Sequence, residues 1–468
     1  MKYHLTILSA LFSFFSGNLS AQKTLAGNQE ISVVKEQPSD ISFLTSKIDA
    51  LQNQIDSLSA ITSQQKEKPQ RFSIGGYGEA VFTRNFYSDK YLRYTDADTY
   101  KNDRSHGRFD LPHTVIWMGY DFGNGWSLGT EIEFEHGGVE AAMEIEEEEA
   151  GEYETEVERG GEVALEQFWI NKEFLKGKLN IKAGHIIVPV GGVNMYHLPT
   201  QFFTNYRPLG EYTILPSTWH ETGVSLWGQT KHWRYEVCFI PGLDSDRFGR
   251  QGWIHDGAGS PYEFKIANSY AGAFRVDNFS VPGLRLSLSG YIGDSFRNSL
   301  SATDSEKYKG VKGTVTIGAF DFHYHGHNTI LRGNFDYGHL SDSEAITKYN
   351  MTMRKDSPSP KQAVASDAIA VGVEAGYNFF GLSTNPKIKA QQLWLFARYE
   401  YYDSMFKTQG TVQDYKWTAR QHIAAGINYY PIKDVVVKAD FHIGILDKKY
   451  NNEPAISLGV AYSGLFEL

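Results

Sequence analysis

The sequence contains a single cysteine, Cys238, among 468 residues. An internal disulfide is therefore ruled out, and with it the stapled scaffold of small secreted domains. Cys238 reads as a small, half-buried strand residue. Beyond residue 21 there is no apolar run of the roughly 18 residues that a membrane-crossing helix needs. If the mature chain enters a membrane, it must do so as a closed barrel. Basic excess is missing too: the formal net charge is -10, and no stripe of Lys and Arg appears. Both observations count against a nucleic-acid partner. Catalytic signatures are also absent, with no G-x-S-x-G, no H-E-x-x-H, no Walker loop and no Cys-His pairing. No enzymatic activity, cofactor or metal site is expected. Nothing in the order of His, Ser and Asn favours a hydrolase embedded in a barrel.

What the chain does have is aromatic residues and glycine. Tyr 28, Phe 29 and Trp 9 make it 14% aromatic, and 45 Gly suit many tight turns. Mean hydropathy is nevertheless only -0.39, the mixture expected where alternate residues alone meet lipid. Residues 1–21 read as a secretory signal: Lys2 opens it, Leu5 to Phe15 forms its apolar core, and Leu19-Ser20-Ala21 ends on a small residue, with cleavage before Gln22. Residues 22–40 read as a linker. Over 41–65, Ile41, Leu44, Ile48, Leu51, Ile55 and Leu58 step by three and four and place one apolar seam on a helix. A short periplasmic coiled coil is expected there, the competing reading being an amphipathic helix packed on its own chain. Ile at a and Leu at d lean toward two strands. A second linker spans 66–71.

From Phe72 to Leu468 the period is two. Trp126, Leu128, Thr130, Ile132 and Phe134 share one face, while Ser127, Gly129, Glu131, Glu133 and Glu135 share the other. Leu284, Leu286 and Leu288 oppose Arg285, Ser287 and Ser289 in the same way. Sixteen such segments begin near Phe72, Arg108, Trp126, Ala164, Lys178, Thr222, Trp233, Phe264, Leu284, Val311, Ile330, Asp367, Leu393, Lys416, Asp434 and Ile456. Short turns at 121–125, 175–178, 230–232, 325–328 and 431–433 alternate with excursions at 85–107, 137–162, 189–220, 242–261, 294–310 and 341–366. That alternation separates an outer-membrane barrel from a soluble sandwich or jelly roll. The expected fold class is all-β: a transmembrane antiparallel barrel of about 16 strands behind a short α-helical coiled coil. The last strand, from Ile456 to Leu468, resembles the terminal assembly signal of such barrels, although it closes on Leu where Phe or Trp is usual.

Candidate functional residues follow from this frame. The third long connection, 189–220, is rich in Pro, Gly and aromatics and too apolar to lie in water. It is expected to fold into the barrel mouth, as the third loop of general porins does, with Tyr196, His197, Arg207, Glu211 and Tyr212 at the constriction. Lys182, Arg234, Lys265, Arg275, Arg285, Arg332, Arg398, Arg420 and Lys438 fall on inward registers, as do Glu79, Glu131, Glu133, Glu135 and Glu374. Two arrangements are open: opposite charges pair across strands, or a basic wall (Arg234, Arg285, Arg332, Arg420) faces an acidic one at Glu131 and Glu133. Residues 140–158 carry ten Glu with apolar residues interposed, which points to a hairpin continuing above the membrane. It could hold divalent cations or a partner, or serve as a solvated surface loop. His323, His325 and His327 read as part of a polar turn rather than a metal site.

Gly184-His185-Ile186-Ile187-Val188-Pro189-Val190-Gly191, Phe202-Phe203, Arg207-Pro208 and Trp219-His220-Glu221-Thr222-Gly223 resemble the corresponding stretch of the phosphate-selective porins O and P and related Bacteroidetes outer-membrane porins. Gly75 to Ala80 and Glu131 to Gly138 are similar to those relatives as well. The resemblance implies a sixteen-stranded barrel, commonly trimeric, that passes anions such as phosphate. Phosphate selection needs a ladder of Arg and Lys, whereas the inward positions here are of mixed charge. The expected partners are outer-membrane lipid, small hydrophilic solutes and further copies of the chain, three by resemblance or two by the helical seam. A passive channel is the leading expectation, and a surface interaction barrel working through the acidic loop is the alternative.

Overall fold

The computed structural model describes residues 71–466, apart from 91, 142–143, 147–153, 157–158, 217, 260–264, 300–305 and 353–362. The expected signal (1–21), linker (22–40) and coiled coil (41–65) lie outside the described residues, as do nearly all of the linker 66–71 and the last two residues of the terminal strand.

The first half of the chain forms β1 (Phe72–Asn85), β2 (Gly107–Asp110), β3 (His113–Gly123), β4 (Trp126–Ala141), β5 (Glu144–Glu146), β6 (Glu154–Glu156), β7 (Arg159–Phe174), β8 (Leu179–Ile187) and β9 (His220–Gln229). There follow β10 (Trp233–Pro241), β11 (Tyr270–Asn278), β12 (Leu284–Asp294), β13 (Thr314–Gly326), β14 (Thr329–Leu340) and β15 (Asp367–Asn378). The barrel is completed by β16 (Gln392–Lys407), β17 (Ala419–Ile432), β18 (Val435–Ile445) and β19 (Ala455–Phe466). Neighbours pair antiparallel in sequence order, and β1 closes the ring on β19 from Ile74↔Phe466 to Asn85↔Ala455. β2 and β3 form one stave: β1 pairs β3 over its first half and β2 beyond it. The break falls at Leu111-Pro112, where proline has no N–H to give the ladder. With β5 and β6 forming a separate two-stranded sheet, the barrel has sixteen staves, the number the periodicity predicts.

Alternation is strict along most staves. In β10, Trp233, Tyr235, Val237 and Phe239 are exposed while Arg234, Glu236, Cys238 and Ile240 are buried toward the lumen. Val237 and Phe239 are 58% and 59% exposed. Similar rows of Leu, Ile, Val and Phe cover the outer surface of the other staves. A closed ladder with an apolar exterior and a polar interior is the outer-membrane solution to burying backbone in hydrocarbon.

One end of the barrel carries tight turns. At His327-Asn328 both residues have positive φ, 51° and 59°, the geometry of a two-residue hairpin turn. A longer connection at 379–391, with helical turns Phe379–Leu382 and Pro386–Lys389, departs from the expected rule that every long loop lies at the opposite end. Above the membrane, β5 and β6 pair beyond β4 and β7, so the acidic hairpin does continue outward. The segment expected to begin near Phe264 begins at Tyr270 instead. Lys265 therefore stands in an outer loop and not on a strand register. The outer loops fold inward: Trp219 and Leu215 of the third loop, Phe248 and Trp253 of the next, and Ile346 and Tyr349 of the helix Ser343–Thr352 share one apolar cluster at the mouth.

Replacing Val237 with Arg puts a charge on the lipid face near the middle of β10. It is expected to destabilise the barrel by about 2–4 kcal/mol, measured as a lowered urea midpoint of protein refolded in lipid vesicles.

Candidate pore constriction

The third loop leaves the wall at Val188 and returns at Trp219, with Val188 N donating to Trp219 O at 2.8 Å. Asn194 ties this neck together: its Nδ2 donates to Val188 O at 2.6 Å, and its Oδ1 accepts from Trp219 N at 2.6 Å. Inside the neck, α1 (Gly192–Met195) and α2 (Leu209–Ile214) face one another. Glu211 of α2 accepts from the N–H groups of Gly192, Val193 and Asn194 at 2.9, 2.7 and 3.2 Å. Gly191 has φ 84° beside this carboxylate, and a Cβ there would lie 2.2 Å from Glu211 Oε1, so only glycine fits. Burial, with the negative Asp321 behind it, pushes the Glu211 carboxyl up to about 7 against the pull of those three donors.

From the neck the loop crosses the lumen to the far wall. Lys438 of β18 donates to Phe202 O and Thr204 O at 3.1 and 2.8 Å, and Asp440 accepts from Asn205 N at 2.8 Å. Glu400 of β16 accepts from Gly210 N at 3.0 Å, and Phe203 stacks on Phe396 with ring centroids 5.1 Å apart. The inward fold expected for 189–220 is thus observed, held by side chains of the opposite staves.

Lumenal charges pair along and across strands in a ladder. Lys182 lies 3.5 Å from Glu236, which also takes Arg234 at 2.6 Å. Arg234 reaches Asp277 at 3.6 Å, and Asp277 holds Arg275 at 2.8 Å. Arg275 and Arg285 share Asp321, at 2.9 and 3.1 Å. Further round, Arg332 and Arg398 share Glu374, the first at 2.9 Å. Arg234–Glu236 and Arg275–Asp277 lie along one strand, and the other contacts run between strands. The β4–β7 sector is different, gathering Glu131, Glu133 and Glu166 at 1%, 2% and 3% exposure.

Several expected site residues stand elsewhere or are already engaged. Arg420 is no part of a basic pore wall; it lies at the outer end of β17, 3.3 Å from Glu453 and over the Tyr94 ring at 4.6 Å, bracing outer loops. Lys265 reaches down from its loop to Glu221 at 3.1 Å. Tyr212 is 38% exposed and leans on His255, ring centroids 5.2 Å apart, and lines neither of the two cavities that meet at the loop. His113 Nδ1 donates to Glu79 at 2.6 Å. Glu135 is half-buried near the top of β4. His197 and Arg207 are buried beneath the loop, and burial reinforced by Arg207 pushes the His197 imidazole down to about 3. His323 and His325, two apart on β13, share a face with rings 6.4 Å apart.

Glu166 was not among the residues the alternation pointed to. β7 pairs Gln167 with Glu131 and Leu165 with Ile132, so a bulge leaves Glu166 without an opposite number and turns both Glu166 and Gln167 inward. The signal was present as two adjacent polar residues between Leu165 and Phe168, an apolar spacing of three where two is the rule.

Two cavities meet at the loop. One is lined by Glu211, Asp321, Arg398 and Glu400, the other by Phe203, His323, His325 and Trp394. Tyr196 and Gln201 of the loop and Arg285 and Arg332 of the wall line both. Arg285 lies over the Tyr196 ring at 3.5 Å.

No protein-family model matches the chain, that of the phosphate-selective porins included. An uncharacterised protein of Aquifex aeolicus is 27% identical over 390 residues, covering 81% of this chain and 77% of that one. Among solved structures, Salmonella typhi OmpF in complex with daunomycin aligns with a TM-score of 0.49 at 13% identity, over 84% of this chain and 97% of its own. The outer membrane channel DcaP of Acinetobacter baumannii aligns at 0.47 and 11% identity, over 86% of this chain and 100% of its own. An anion-selective porin from Comamonas acidovorans aligns at 0.44 and 10% identity, over 84% and 98%.

Replacing Asp321 with Ala leaves Arg275 and Arg285 short of their shared partner in a dry wall. The expected cost is about 3–5 kcal/mol, read from the urea midpoint of the folded barrel by tryptophan fluorescence.

Proposed function

We propose that this chain is an outer-membrane channel for passive diffusion of small charged solutes, with the third loop as its constriction and a preference for anions. The observation that carries the proposal is the junction of the two cavities, where Tyr196 and Gln201 face Arg285 and Arg332. A solute moving between the cavities passes two guanidinium groups. Along the ladder, the six cations Lys182, Arg234, Arg275, Arg285, Arg332 and Arg398 share the four carboxylates Glu236, Asp277, Asp321 and Glu374. Glu211 and Glu400, which line the outer cavity as well, are turned to N–H groups of the loop, whereas the guanidinium groups at the junction attract anions and replace part of their hydration. The resemblance of 184–191 and 219–223 to phosphate-selective porins supports phosphate as one such anion. Assembly of three copies is consistent with this reading, and chemical cross-linking followed by mass determination separates it from the pair that the seam at 41–65 favours.

Purified protein in a planar bilayer is expected to give stepwise conductance, with a reversal potential in a salt gradient that favours the anion. A bilayer that stays silent despite correct heat-modifiable folding overturns the channel reading. One unit charge about 4 Å from a passing ion in water is worth about 1 kcal/mol. Arg332→Gln is therefore expected to lower anion permeability about fivefold, and the anion-to-cation permeability ratio by more than that, since the same charge repels the cation.

The raised Glu211 carboxyl supplies a pH test. Glu211 lines the outer of the two cavities; it is neutral below about 7 and negative above. Anion preference is accordingly expected to fall as pH rises through about 7, and Glu211→Gln to remove that step in the reversal potential.

A further inference from the structure

We propose that Glu131, Glu166 and His197 bind a divalent transition-metal cation of the zinc class, which clips the third loop to the β4–β7 wall. One ligand atom from each of the three lies within 4.8 Å of the others, and all three residues are buried. Two carboxylate oxygens and an imidazole nitrogen form a ligand set suited to such an ion.

The hydrogen bonds around the cluster prepare it for a cation. His197 Nδ1 donates to Asn194 O at 2.8 Å, which fixes the tautomer and leaves Nε2 with its lone pair free of a proton. Asn194 is the residue that closes the neck of the loop, so the ligand's orientation is tied to the loop's anchor. Glu131 is oriented by the Gln167 side-chain amide. Glu166 is 3% exposed; its carboxyl meets that of Glu133, and no N–H donor reaches either of its oxygens. His220 Nε2, on a side chain 9% exposed, also has no hydrogen-bond partner and lies 3.8 Å from Glu166 Oε1. It stands where a fourth ligand would approach.

Charge points the same way. Glu133 joins Glu131 and Glu166 in this sector, and the cation whose field reaches both Glu133 and Glu166 is Arg207. When Glu131, Glu133 and Glu166 are all ionised, three negative charges face one guanidinium in a buried pocket, and uncompensated buried charge is costly. One divalent cation offsets that charge and takes up the Glu166 oxygens that no N–H donor reaches. The bulge at Glu166 supplies the second carboxylate, and the loop supplies the imidazole.

The test is direct metal analysis of the full-length protein, folded, stripped with EDTA and dialysed against Zn2+ alone. One Zn2+ retained per chain is expected. Affinity should fall at least tenfold in Glu166→Gln and in His197→Gln, and remain unchanged in Glu344→Gln, on the outer helix Ser343–Thr352. Heat-modifiable migration verifies the barrel in each variant. If Glu166→Gln does not assemble, His197→Gln carries the test, because its side chain belongs to the loop and not to a stave. Co2+ in place of Zn2+ should give visible absorption bands that change in His197→Gln. Failure to retain Zn2+ overturns the proposal and assigns the excess charge to bound protons. Retention that both variants leave at the unsubstituted level overturns it as well.

Discussion

The ladder from Ile74↔Phe466 to Asn85↔Ala455 joins the first stave to the last, and the rest of the molecule depends on that closure. In hydrocarbon a free strand edge leaves a row of N–H and C=O groups with no partner, at a cost of several kcal/mol each. Closing the ring removes the edge and makes inside and outside distinct. Because side chains alternate, each stave must then be apolar outward and can be polar inward. Val237 and Phe239 beside Arg234 and Glu236 express both requirements in one strand.

A polar interior brings its own constraint. Charges on neighbouring inward positions stand within a few ångströms of one another in a narrow space, and each needs a partner or water. Between β8 and β16 this need is met by the chain of pairs from Lys182 to Arg398, with Asp321 and Glu374 each serving two arginines. The third loop uses the same economy of polar groups. Lys438, Asp440 and Glu400 satisfy its backbone from the far wall, while Glu211 satisfies it from within. The loop is therefore a fixed part of the lumen, and its Tyr196 and Gln201 line both cavities beside it.

Much of this was legible beforehand, and the exceptions have specific causes. All sixteen staves were anticipated, most within three residues, because alternation is a local property of each segment. The strand expected to begin near Phe264 begins at Tyr270, because an apolar residue among polar ones imitates the start of a strand in sequence, and Lys265 was placed in the lumen by that shift. Arg420 lies on an inward register, but a register does not specify height along the barrel, and its partner Glu453 comes from an outer loop. Glu166 escaped because a bulge breaks the period that the reading relied on. Pairs along one strand, such as Arg234 with Glu236, stand two residues apart in the sequence, whereas the cross-strand partners were not legible, since they depend on strand neighbours and stagger.

By itself the sequence determined the fold class, the number of staves, which face of most strands meets lipid, and that 189–220 is too apolar to remain in water. These follow from periodicity and composition, which are carried by residues close together in the chain. Only the tertiary structure decided that Arg285 lies over Tyr196 and Arg332 over Phe203, that Lys438 ends its reach on the loop backbone, and that Glu131, Glu166 and His197 converge. The closed ring and the folded loop bring those groups together from distant parts of the chain, and local pattern carries no record of such distances.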